Sequence, residues 1–140
     1  MEYYTSRHPR KDPQVKLTPV IFVDRIEPAL PFWTERLGFT VTVEVPEGEN
    51  LGFVILARDA VEVMYQSRAS VAKDVPTMAA EPFLSRTNLF IEVENLQEFL
   101  PRLEGLPVTV PKRTTFYGAL EFGVRAPCGT SVVLAEFQGQ

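Results

Sequence analysis

The chain has 140 residues, 45% of them hydrophobic and 23% charged, with a formal net charge of −4. This fits one compact domain, or two small modules sharing a core. The acidic balance argues against binding a phosphate backbone, and the apolar runs are too short to span a bilayer. A single cysteine, Cys128, excludes an internal disulfide and suits a reducing cytoplasm.

Residues 1–16 are polar and charged, and are expected not to be a secretory leader but to form a mobile arm or to dock on a partner subunit. A first module is expected over 17–67. It opens with a strand at 17–23. A helix follows from Glu27, with Pro28 and Pro31 in its first turn. Ile26, Leu30, Trp33 and Leu37 recur at helical spacing and share one buried face, and Gly38 is the left-handed cap. FTVTVEV at 39–45 alternates strictly, as a half-buried strand does. Two more strands are predicted at 51–56 and 61–65.

Residues 68–87 read as a linker with two prolines and no apolar period. The second module is expected over 88–137. A strand at 88–93 leads to Asn95 and Glu98, which have the spacing of an N-cap and its N3 partner. Leu96, Phe99, Leu100 and Leu103 form the buried stripe of a helix that Gly105 closes. Pro101 removes a bond in that helix, so the spacing predicts a late start or a kink. Strands follow at 108–110, 120–125 and 131–137, and Ala126-Pro127-Cys128-Gly129 matches a type I turn.

The two modules repeat. At an offset of 70 residues Ile21 falls on Ile91, Val23 on Val93, Asp24 on Glu94, Leu30 on Leu100 and Pro31 on Pro101. A site is expected in the groove between two such halves.

Several motifs in order carry a family resemblance: Phe32-Trp33, Leu37-Gly38-Phe39, Tyr117-Gly118, Glu121-Phe122 and Arg125-Ala126-Pro127-Cys128-Gly129. Over residues 17–137 the chain resembles the glyoxalase/bleomycin-resistance/dioxygenase group, the vicinal oxygen chelate superfamily. The resemblance implies an α+β fold of two βαβββ modules whose sheets form half-barrels. Metal-dependent members hold a divalent ion at four positions, which fall here on Thr18, Glu62, Asn88 and Val133. Only Glu62 is an ordinary ligand, valine is none, and the one histidine, His8, lies outside the repeat. No metal and no cofactor are therefore expected.

Glu62 and Glu121 each have two readings: a solvated strand carboxylate, or a carboxylate inside the cup that pairs a cation or acts as a base. Phe53, Phe90, Phe116 and Tyr117 are either core residues or aromatic walls for a planar ligand. Thr18 and Asn88 complete the expected binding set, while Trp33 reads as core and Cys128 as a turn thiol without a role. The expected function is a metal-free, cytoplasmic, homodimeric protein that binds a small drug or metabolite, cationic or aromatic, and neither nucleic acid nor membrane. The alternative is an enzyme of the same superfamily with atypical or absent metal ligands.

Overall fold

The structure is a computed structural model describing residues 16–80, 82–83 and 87–138. The expected arm, with His8, lies outside the described residues except for Lys16. Two four-stranded mixed sheets form the frame, and neither closes into a barrel. The first contains β1 (Val20–Val23), β2 (Thr40–Glu47), β3 (Asn50–Arg58) and β4 (Val61–Ser67) in the order β1-β4-β3-β2. The second contains β5 (Asn88–Glu92), β6 (Val108–Thr114), β7 (Ala119–Arg125) and β8 (Ser131–Phe137) in the order β5-β8-β7-β6. In each sheet the first and last strands pair in parallel and the remaining pairs are antiparallel. The α+β architecture of two repeated modules is as the sequence predicts.

The helical crossovers are less regular than expected. After β1 the chain makes a 3₁₀ turn at Glu27–Ala29 and then a π-type turn at Phe32–Arg36. Pro28 and Pro31 donate no amide hydrogen, so an uninterrupted i→i+4 ladder is unavailable. The chain closes instead by Leu37 N–H donating to Phe32 O at 3.2 Å and Phe39 N–H to Trp33 O at 2.8 Å. Gly38, at φ +75°, is the expected left-handed cap. The second crossover breaks at the position the proline predicts. It is two 3₁₀ pieces, Leu96–Glu98 and Leu100–Leu103, with Pro101 opening the second. The Asn95 side chain accepts from Gln97 N at 3.0 Å, and Glu136 Oε1 accepts from Leu96 N at 2.8 Å.

Three local expectations differ. The segment read as a linker contains α1 (Arg68–Asp74), capped by the Ser67 hydroxyl, and α2 (Pro76–Ala79). One turn of α1 buries only Val71, too little to register as a period. The alternation over 39–45 is not half-burial: β2 is an edge strand with two register irregularities, and Val43 and Val45 are exposed. The turn before β8 is closed by Gly129 N–H to Ala126 O, as expected. Cys128, however, sits at φ +75°, which belongs to a type II turn rather than type I.

One apolar core joins both modules. It contains Ile26, Phe32, Trp33, Leu37, Val54, Leu56 and Tyr65 of the first, with Leu96, Phe99, Leu103, Val124, Val132 and Leu134 of the second. Arg36 crosses from the first module, and its Nη1 donates to Arg102 O at 2.6 Å and Glu104 O at 3.2 Å. It thus caps the second module's last helical turn. At the centre, Trp33 Nε1 donates to the Tyr65 hydroxyl at 2.9 Å, with both side chains fully buried. Burial is the main reason the Tyr65 phenol is pushed up to about 12.

Tyr65→Phe leaves the Trp33 N–H buried without an acceptor. The expected cost is about 1 to 3 kcal/mol, read by urea unfolding. Because the folded pKa lies above the unfolded one, the parent loses stability as pH rises from 10 towards 12. The variant lacks that part of the slope; an unchanged slope would contradict the assignment.

Candidate functional site

Residues directly paired across strands share a face, so register sorts every strand residue. In the first sheet Phe53, Ile55, Glu62, Met64 and Gln66 lie on the face away from the core. Glu62 accepts from Lys16 Nζ at 2.5 Å. The far end of this face is engaged by α1, where Gln66 Nε2 donates to Ser70 Oγ at 3.0 Å and Asp74 Oδ2 at 3.3 Å. Thr18 lies just before β1 and is partly buried.

The second sheet carries a more developed constellation. Its face away from the core has a floor of small residues, Ala119, Gly123, Val133 and Ala135, all buried. Gly123 is required there, since a Cβ would stand 3.0 Å from both Val110 Cβ and Val133 Cγ2. Large side chains rise around this floor. Phe90 and Phe137 have ring centroids 6.3 Å apart, Phe137 and Tyr117 6.0 Å, and Tyr117 and Phe116 5.0 Å. Phe90 is half exposed, Tyr117 nearly so, and Phe116 fully. Asn88 begins β5 on the same face and is exposed.

Glu121 stands on this face with its side chain only 3% exposed. A carboxylate so placed must be compensated. Arg113 Nε donates to its Oε1 at 3.1 Å, and the Tyr117 hydroxyl donates to its Oε2. The backbone arranges the ion pair. Val110 pairs with Gly123, so an unbroken ladder would set Lys112 opposite Glu121. A register irregularity on β6, at Pro111 and Lys112, advances the strand by one residue and sets Arg113 there instead. The bond to Glu121 is the largest cause holding the Tyr117 phenol above its ordinary value.

The structure therefore brings Tyr117 and Glu121 together and places Phe90 and Phe116 in the same row of rings. Glu62 and Phe53 stand on the other sheet, and no hydrogen bond, ion pair or ring contact joins them to the Tyr117 group among the described residues. Two residues went unread in the sequence. Arg113 lies beyond the predicted end of its strand, and Phe137 was placed in a strand without a face. For Phe137 the signal was alternation: it shares the parity of Ala135 and Val133, opposite the core residues Val132 and Leu134.

The resemblance would place metal ligands at Thr18, Glu62, Asn88 and Val133. Val133 offers no donor, Asn88 is neutral, and Glu62 is bonded to Lys16. Among the described residues no three His, Cys, Asp or Glu side chains converge. Among the described residues, cavities lie elsewhere. One of about 310 Å³ between the modules is lined by Phe39, Arg58, Val61, Glu94 and Phe99. Another, about 570 Å³, is lined by Phe22, Met78, Phe83, Leu89, Cys128 and Thr130. Neither includes Glu62, Tyr117 or Glu121.

The fold and these motifs define a class. The profile of the Glyoxalase/Bleomycin resistance protein/Dioxygenase superfamily matches residues 16–134, and the chain belongs to that superfamily. Solved structures agree on the fold. A glyoxalase/bleomycin resistance protein/dioxygenase from Nocardioides is 20% identical, with 99% of this chain and 93% of that one covered at a TM-score of 0.68. A lactoylglutathione lyase from Agrobacterium tumefaciens is 15% identical, with 90% and 96% covered at 0.68. A bleomycin resistance determinant encoded on the transposon Tn5 is 17% identical, with 89% and 99% covered at 0.62. No protein of curated function matches the sequence significantly. Among the described residues, no helix is long and apolar enough to cross a membrane.

Glu121→Gln should return the Tyr117 phenol towards its ordinary value of 10, because the carboxylate is the main cause of the shift. Phenolate absorbance during an alkaline titration, with Tyr117→Phe subtracted to isolate this ring, reads it. A Tyr117 titration that does not move would show that the bond is not formed in solution.

Proposed function

We propose that this chain is a metal-free binding protein for a small aromatic drug or metabolite, held in the cup outside the core. The observation that carries this reading is the row Phe90, Phe137, Tyr117 and Phe116, partly exposed or, for Phe116, fully so, around a floor of Ala119, Gly123, Val133 and Ala135. Exposed rings on a sheet face are costly to leave in water unless something covers them. Phe53, Glu62 and Thr18 of the first module, and Asn88 and Glu121 of the second, are assigned to the lining. The donor set at Thr18, Glu62, Asn88 and Val133 favours a binder over a metal-dependent enzyme.

A second copy is the natural cover for the open faces, so we assign the protein as an isologous homodimer. Light scattering over micromolar concentrations should report twice the chain mass; a monomer throughout would refute the dimer.

A thermal-shift screen of aromatic compounds, read beside elemental analysis, tests the binding reading. Stabilisation by an aromatic ligand without bound transition metal is expected. Tyr117→Ala should weaken that ligand about tenfold, equivalent to about 1.4 kcal/mol. One metal per chain, lost only with folding or activity, would instead favour the enzyme.

A further inference from the structure

The carboxylates of the cup suggest a cationic ligand, but each already has a cation bonded to it. Glu62 accepts from Lys16, and Glu121 accepts from Arg113 and Tyr117. A cation approaching Glu121 must displace Arg113 from a side chain only 3% exposed. The accessible charge in this row has the opposite sign. The Arg113 side chain is 60% exposed, and only its Nε is engaged. Among the described residues its two Nη groups have no hydrogen-bond partner. A guanidinium so anchored keeps donors in a fixed fork suited to a carboxylate.

We propose that the cup of the second sheet recognises an aromatic anion, its carboxylate on Arg113 and its ring against Tyr117 and Phe137. This rests on the binding-protein reading and names its ligand class. Glu121 acts as a positioning residue: buried and charged, it fixes the guanidinium at the edge of the rings. Other charges on this face do not reverse the sign. Glu92 lies in the same row beyond Ala135, three strand spacings or about 14 Å from Arg113. Arg125 is turned to its own loop, with Nη1 donating to Gly129 O at 2.7 Å.

The test uses a matched pair of probes, 2-naphthoate and 2-naphthylmethylammonium, titrated calorimetrically into the full chain. The parent should bind naphthoate about tenfold more tightly or better, since hydrogen bonds to charged groups carry that difference. Arg113→Gln still offers Glu121 a donor, and should remove the preference while leaving the ammonium probe unaffected or improved. Arg113→Lys should keep the sign of the preference but lose part of its size, because an ammonium lacks the planar fork. Equal or tighter binding of the ammonium probe by the parent overturns the proposal, and this comparison needs no variant to fold. So does a preference for naphthoate that survives in folded Arg113→Gln. If neither probe binds, the binding-protein reading fails, and the anion assignment with it.

Discussion

The cover over the core-side face of each sheet in this chain is short. Two proline-interrupted turns cannot enclose a core on a four-stranded sheet by themselves. The structure answers by pooling both covered faces into one core, with Trp33, Tyr65, Phe99 and Leu134 in the same cluster. Arg36 bonds to the carbonyls of Arg102 and Glu104, and the Arg58 guanidinium lies 5.5 Å from the Phe99 ring centroid. Apolar burial needs contiguous surface more than regular helices, which explains how 3₁₀ and π-type turns suffice.

Pooling the core leaves the other face of each sheet turned away from it. On the second sheet the central positions are small and lie buried beneath the larger side chains around them. The edge strand is then advanced one residue near Pro111, which sets a guanidinium opposite a buried carboxylate. A charge in that position is costly unless partnered, so Glu121, Arg113 and Tyr117 stand or fall together. Such a network fixes the orientation of its exposed members, and binding sites require that property more than they require added stability.

Much of this was legible in the sequence. The repeat, the succession of strands along each module and the break at Pro101 follow from spacing and proline chemistry. So does the core assignment of Ile26, Trp33, Leu96 and Phe99, because periodicity reports burial directly. The helical turns at Arg68–Asp74 were not legible, since a single buried residue, Val71, makes no period. Nor was the Arg113–Glu121 pair, because alternation along β6 places Lys112 opposite Glu121 until the irregularity is known. The type II turn at Cys128 was hidden because its residue types fit type I as well. Tyr117 and Glu121 were legible as candidates, but their mutual bond depends on the hairpin bringing residues four apart into contact.

The proposed ligand sits on the face away from the core, and not in a cavity beside it. Side-chain NMR with labelled phenylalanine and tyrosine tests this directly while small aromatic fragments are titrated. The account predicts shift changes concentrated on Phe90, Phe116, Tyr117 and Phe137. Changes centred on Phe39 and Phe99, around the cavity between the modules, or on Phe22 and Phe83, with the four cup rings unmoved, would contradict it.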